Sequence, residues 1–224
     1  MSGLSTNFSG IGNNLHSMKP RFITLEGGEG VGKTTNLAFI EDYLTKRGIN
    51  LLRTREPGGT PLGEQIRALL LDSDGMTGPA ELLLVFAARA QHLEAVIWPA
   101  LAAGQWILCD RFTDASYAYQ GGGRSLDLSV IGFLEQWIQK GLQPDLTLLL
   151  DTSIEVGMSR VRERGTADRF ESEHNDFFET VRTAYLKRAD EYPERIKRVD
   201  ATGSLESVQA GIAMHLDYLI DMSR

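Results

Sequence analysis

Apolar residues along the chain fall into two spacings. Five short stretches are apolar almost throughout: Arg21–Gly28 (RFITLEGG), Ile49–Thr54, Trp106–Cys109, Asp145–Leu150 (DLTLLL) and Ile196–Val199. Stretches this short, with little alternation of polar positions, predict strands buried on both faces. Between them apolar residues recur every three or four positions. Leu37, Ile40 and Leu44 predict a helix from Lys33 to about Arg47, stopped by Gly48. Pro79–Ala103 is strongly apolar and helical in character, with Pro99 marking a kink or a break. Further helices are predicted over Leu128–Lys140, Ile154–Arg164, Asn175–Arg188 and Leu205–Met222, the last with Val208, Ile212, Leu216 and Leu219 on its apolar side. Strands that alternate with helices imply an α/β fold, a five-stranded parallel sheet with helices on both faces. Residues 1–17 contain no Lys, Arg, Asp or Glu and many Gly, Ser and Asn, so a loose N-terminal extension is expected ahead of one domain over residues 18–224.

Composition narrows the function classes. The 224 residues carry 23 Lys plus Arg against 30 Asp plus Glu, a formal net charge of -7. That argues against nucleic acid or an anionic membrane as partner, while leaving room for a local phosphate pocket. The longest plain apolar run, Leu82–Ala88, is far too short to span a bilayer, and no signal-peptide pattern opens the chain, so a cytoplasmic address is expected. Cys109 is the single cysteine, which excludes an intrachain disulfide and clustered cysteine zinc sites.

The first chemical motif is Gly27-Gly28-Glu29-Gly30-Val31-Gly32-Lys33-Thr34, a match to GxxxxGK[ST] between a predicted strand and a predicted helix. In that setting backbone N–H groups converge on a nucleotide phosphate, and the helix N-terminus adds its dipole. Lys33 is placed to bridge the β- and γ-phosphates of a nucleoside triphosphate, Thr34 to hold Mg²⁺, and Thr35 to extend the cradle. Asp110-Arg111, at the end of the third strand, offers a carboxylate for Mg²⁺ and a planar guanidinium for a second phosphate; a structural ion pair fits the same two residues. No NKxD follows a strand, and no DxxG follows the strand at Trp106–Cys109, which disfavours a guanine-nucleotide switch.

Arginines recur where the carboxyl ends of the strands should open a crevice. Arg55 begins REPGGT, and Arg89 lies three and four residues after Phe86 and Val85, so a guanidinium and an apolar surface share one helix face. Tyr117–Arg124 (YAYQGGGR) suits either a base and sugar site or an ordinary surface loop. Arg160, Arg162, Arg164 and Arg169 surround Gly165, and fit either a closing lid at about residues 160–170 or a solvated basic helix.

Taken together, LEGGEGVGKTT, REPGGT, FAAR, DR, AYQGGGR, PDLTLLLD, RERGTADR and the DAT loop at Asp200–Thr202 resemble the bacterial-type thymidylate kinases among the nucleoside monophosphate kinases. The resemblance runs from about residue 20 to the end. It implies a three-layer P-loop NTPase fold with an arginine-rich lid, transfer of the γ-phosphoryl of ATP to dTMP with Mg²⁺, dTDP and ADP as products for dTTP synthesis, and a homodimer. It also implies roles: Glu29 near the sugar 3′-hydroxyl, Arg55, Arg89 and Arg111 at the acceptor phosphate, and Ser116, Tyr119 and Gln120 about thymine and deoxyribose. The P-loop interior has no cation, so the resemblance points to the lid, Arg160 or Arg164, for transition-state charge. Where the family often has a phenylalanine stacked on thymine this chain has Val85, with the ring one position on at Phe86, so either residue is a candidate floor for the base. Two other readings remain at this point, a P-loop kinase for another nucleotide or nucleoside, and a nucleotide-dependent binding or switch protein.

Overall fold

The computed structural model describes residues 18–164, 169–170 and 173–224, and of Arg164 the backbone only. The expected extension at 1–17 and the middle of the expected lid therefore lie outside the described residues. The strands are β1 (Phe22–Glu26), β2 (Leu51–Arg55), β3 (Trp106–Asp110), β4 (Leu146–Asp151) and β5 (Ile196–Asp200). All pairings are parallel, in the order β2-β3-β1-β4-β5. The central strand β1 is buried on both faces, its polar Thr24 and Glu26 included.

Alternation along β1 divides the two layers. Ile23 and Leu25 face a cluster with α1 (Lys33–Thr45) and α9 (Leu205–Asp221), which contributes Leu37, Ile40, Leu44, Val208, Ile212 and Leu216. Phe22 faces the other layer, with Leu93, Ile97, Ile107, Cys109 and Phe112. The polar positions of β1 and β4 are paired inside: Thr24 and Thr147 hydroxyls lie 2.8 Å apart, and Glu26 accepts from the Phe112 N–H and the Tyr185 hydroxyl, each at 2.7 Å. Burial, with Asp114 nearby, raises the Glu26 carboxyl to about 8.

Several predicted elements sharpen. The Pro79–Ala103 segment is α3 (Gly78–His92), a π-helical turn at Leu93–Ile97 and α4 (Trp98–Ala102). The helix widens just before Pro99, whose ring cannot donate to the ladder and would crowd a regular turn. Two helices were not predicted, the four-residue α5 (Thr113–Ser116) and α2 (Pro61–Asp72), the latter begun by a Thr60 cap that accepts from the Gly63 N–H with proline at the first position.

The glycine run is not a surface loop. After the short α5 (Thr113–Ser116), Tyr117–Gly123 forms a π-helical segment with Ala118, Tyr119, Gln120 and Gly121 buried. It packs on α8 (Asn175–Glu191); a Cβ on Gly122 would sit 2.8 Å from the Ala184 methyl. The remaining helices are α6 (Leu128–Gln139) and α7 (Ile154–Arg164). No helix among the described residues is long and apolar enough to cross a membrane.

Candidate active site

From β1 the chain runs outward past β3 to β2, and from β3 it later crosses back over β1 to β4, so the direction of the connections reverses beside β1. A parallel sheet opens its ligand crevice at such a reversal, outside the carboxyl ends of the strands. The P-loop leaves β1 there. Gly27, Gly30 and Gly32 all take positive φ, and Gly30 packs directly on the Gly157 backbone of α7. A side chain on Gly30 would overlap that backbone, so the loop can approach α7 only because both residues are glycine.

A cavity of about 470 Å³ spans the crevice, lined at one end by Glu29–Thr35 and Arg160. At the other end Val85, Arg89, Ser116, Tyr119 and Gln120 line it, with Asp110 and Arg111 in between. Lys33 curls over the loop, donating to the Gly28 carbonyl at 2.7 Å and the Gly27 carbonyl at 3.1 Å. Burial, then the Arg111 charge, lowers its pKa. Asp110 keeps one buried carboxylate oxygen, Oδ1, without a hydrogen-bond partner among the described residues. Thr34 is exposed in the first turn of α1. Asp110, with its unpaired carboxylate oxygen, and Thr34, with an exposed hydroxyl, line the same cavity; these are hard oxygen ligands that fit Mg²⁺.

Arg111 adopts a left-handed backbone, φ 65°, directly after β3. Its guanidinium donates to Glu29 at 2.6 Å and to the Gly27 carbonyl at 3.1 Å, and lies over the Tyr119 ring. Tyr119 donates its hydroxyl to the same Glu29 oxygen at 2.7 Å. The P-loop carboxylate is thus held by Arg111 and Tyr119, two residues of the cavity wall.

Arg89 is 1% exposed. It donates to Glu56 at 2.7 Å, to the Ser116 hydroxyl at 3.1 Å and to the Phe112 carbonyl at 3.1 Å. Glu56 is fixed in turn by His92, whose other ring nitrogen meets the Thr54 hydroxyl at 2.7 Å. Three of the five guanidinium N–H groups are engaged, which leaves two for a ligand.

Four predicted site residues, Gly27, Gly28, Arg55 and Phe86, do not line this cavity. Arg55 points to an exposed ion pair with Glu64 at 2.6 Å. Phe86 is buried with Leu82, Ile131 and Leu134 between α3 and α6, its ring under the Arg89 guanidinium. The rotation between successive helix positions decides this: Val85 faces the cavity and Phe86 the core. Gly27 and Gly28 shape the loop from behind rather than line the cavity. The Arg164 side chain lies outside the described set.

Arg67 was missed by sequence reasoning. It lines the cavity from α2 and donates to the Pro57 carbonyl at 3.1 Å. The available signal was the Thr60-Pro61 helix start, which places Ile66 and Leu70 inward and Arg67 beside them. Burial, with the Arg55 and Arg111 charges, lowers its pKa.

Fold and cavity together define a P-loop α/β phosphate-binding protein whose crevice continues past the P-loop into a second compartment walled by arginines and rings. The family model described as Thymidylate kinase matches residues 25–212. The chain is 61% identical over 200 residues to the thymidylate kinase of Chromohalobacter salexigens, covering 88% of this chain and 94% of the relative. It is 55% identical over 205 residues to that of Pseudomonas syringae pv. tomato, covering 91% and 98%. The crystal structure of thymidylate kinase from Ehrlichia chaffeensis superposes with a TM-score of 0.74 at 30% identity, covering 88% of this chain and 98% of that one. This chain belongs to the thymidylate kinase family.

Proposed function

We propose that the protein transfers the γ-phosphoryl of ATP to dTMP, giving ADP and dTDP, within this single cavity. The observation that carries the reading is the continuity of the cavity: the P-loop and a walled acceptor compartment face the same space.

ATP enters at the P-loop, and the Lys33 ammonium exchanges two carbonyl partners for phosphate oxygens. Thr34 and Asp110 are the residues to hold Mg²⁺, which offsets phosphate charge when bound. At the other end Arg89 offers its two remaining N–H groups to the acceptor phosphate, and Arg111 stands between the two nucleotides. The second ionisation of a phosphate monoester lies near pH 6, so the attacking oxygen is already anionic at neutral pH and needs no general base. Positioning and cationic charge then carry the catalysis. Arg160 belongs to the donor end: it donates to the carbonyls of Ala201 at 3.3 Å and Gly30 at 3.4 Å. Arg164, at the end of α7, is its companion for the transition state.

Val85 is the apolar floor for the base, and Tyr119 with Glu29 crowds the sugar. The extended reading is a domain at 18–224 with its lid near 160–170, working in the cytoplasm as a homodimer. The test is ADP release from ATP and Mg²⁺ with dTMP, dUMP, UMP, dCMP, AMP and thymidine compared side by side. The expected result is strongest stimulation by dTMP, with dUMP behind it by the worth of one methyl group, about 1 kcal/mol, and UMP poor. ATP binding with no stimulation by any acceptor would overturn the kinase reading.

A further inference from the structure

Glu81 is fully buried in the first turn of α3, yet it does not line the cavity. Its carboxylate collects three side chains, two from the Tyr117–Gly123 segment and its C-cap, and that of Arg169. Oε1 accepts the Gln120 amide Nε2 at 2.9 Å. Oε2 accepts an Arg169 N–H at 2.7 Å and faces the Arg124 guanidinium at 3.2 Å. Arg169 also donates to the Leu70 carbonyl at 2.7 Å, so the far arm of the expected lid docks on the same carboxylate.

The Gln120 contact has a chemical consequence. A carboxylate accepts and cannot donate, so the Gln120 side chain must turn its NH₂ group toward Glu81. The amide oxygen is then left for the cavity, beside the second N–H of the same NH₂. Thymine presents a donor at N3 next to an acceptor at O4. Cytosine presents the reverse, an acceptor at N3 next to a donor at the 4-amino group. To meet cytosine the amide would have to flip, and that would press its oxygen against the Glu81 carboxylate.

We propose that Glu81 is a specificity-determining positioning residue, which locks the Gln120 amide in the orientation that accepts thymine or uracil and refuses cytosine. The inference rests on the dTMP kinase reading above. Glu81 touches no substrate; it acts through Gln120.

The decisive variant is Glu81→Gln. A glutamine at this position can accept from Gln120 or donate to it, so both amide orientations become available. In the wild-type protein kcat/KM for dTMP is expected to exceed that for dCMP by about a hundredfold or more, as for a site whose buried polar groups are matched to one hydrogen-bond pattern. In Glu81→Gln that ratio falls to about tenfold or less, while the KM for ATP is unchanged. An equal loss on dTMP and dCMP, with the ratio preserved, would mean that Glu81 only supports the fold and would overturn the proposal. If Glu81→Gln does not fold, the unliganded wild-type protein decides. With ¹⁵N-glutamine labelling and Gln120→Leu to assign the resonance, one Gln120 side-chain proton should exchange slowly with water. Exchange as fast as that of an exposed glutamine would equally overturn it. A wild-type protein that rejects dTMP altogether would instead bring down the kinase reading, so the two failures are distinguishable.

Discussion

At the scale of single residues, burial sets the chemistry more than residue type does. Glu26 sits at the end of the central strand and accepts two hydrogen bonds, yet its pKa is raised to about 8, because burial and Asp114 outweigh Tyr185 and Arg111. A raised carboxyl pKa means that the folded state keeps a proton that the unfolded chain releases near pH 4.5. Its contribution to stability is therefore complete below pH 4.5 and is lost as the pH climbs through about 8. Glu26→Gln, which keeps the shape and removes the titration, should flatten the fall of the melting temperature between pH 5 and 8.5, measured by thermal unfolding across that range. Val85 and Phe86 separate in the same way, by what each touches. Val85 also packs with Ile66, Leu70 and Ala88, so Val85→Ala should raise the KM for dTMP severalfold at about 1 kcal/mol of stability. Phe86→Ala should instead cost about 3–5 kcal/mol of stability, the usual loss for a buried ring. Steady-state kinetics and urea unfolding on the same two variants give the comparison.

At the scale of elements, the site depends on close backbone approach. A Cβ on Gly157, in the first turns of α7, would sit 2.5 Å from the Glu29 carbonyl of the P-loop. Gly157→Ala should therefore push α7 off the loop, raise the KM for ATP about tenfold and cost about 1–3 kcal/mol, the range for overpacking. Comparing KM for the two substrates checks it, since dTMP binding should move much less. The helix that carries Arg67 was absent from the sequence reading because REPGGT looks like a loop and Pro61 looks like a breaker. Proline at the first helical position is instead favourable, and the Thr60 cap was the readable sign. The YAYQGGG segment was left open between site and loop because glycine usually marks turns. Its burial comes from α8, a partner about sixty residues away, which no local pattern announces.

At the scale of the whole molecule, one apolar surface has no partner within the described chain. Phe133 and Trp137 on α6 are 64% and 67% exposed with their rings stacked, and Leu83 on the adjoining α3 is exposed too. In the homodimer proposed above, this face is where a second copy would lie. Phe133→Glu should shift the protein from dimer to monomer in light scattering after size exclusion; a mass that does not change with this variant would move the interface elsewhere.

The strand and helix periods, the P-loop between its strand and helix, and the arginines at strand ends were set by local order in the chain. Spacing alone therefore carried the five parallel strands, the phosphate cradle and the residues Lys33, Thr34, Asp110, Arg89 and Arg111 into one crevice. Neighbours distant in sequence decided the rest. The choice between Val85 and Phe86 came from the packing of α3 on α6, Arg55 was drawn outward by Glu64, and Arg67 entered from a helix that Thr60 caps. The hold of Glu81 on Gln120 joins residues 39 apart. A side chain's direction and its hydrogen-bond partners depend on what packs across from it, and only the folded chain brings those partners together.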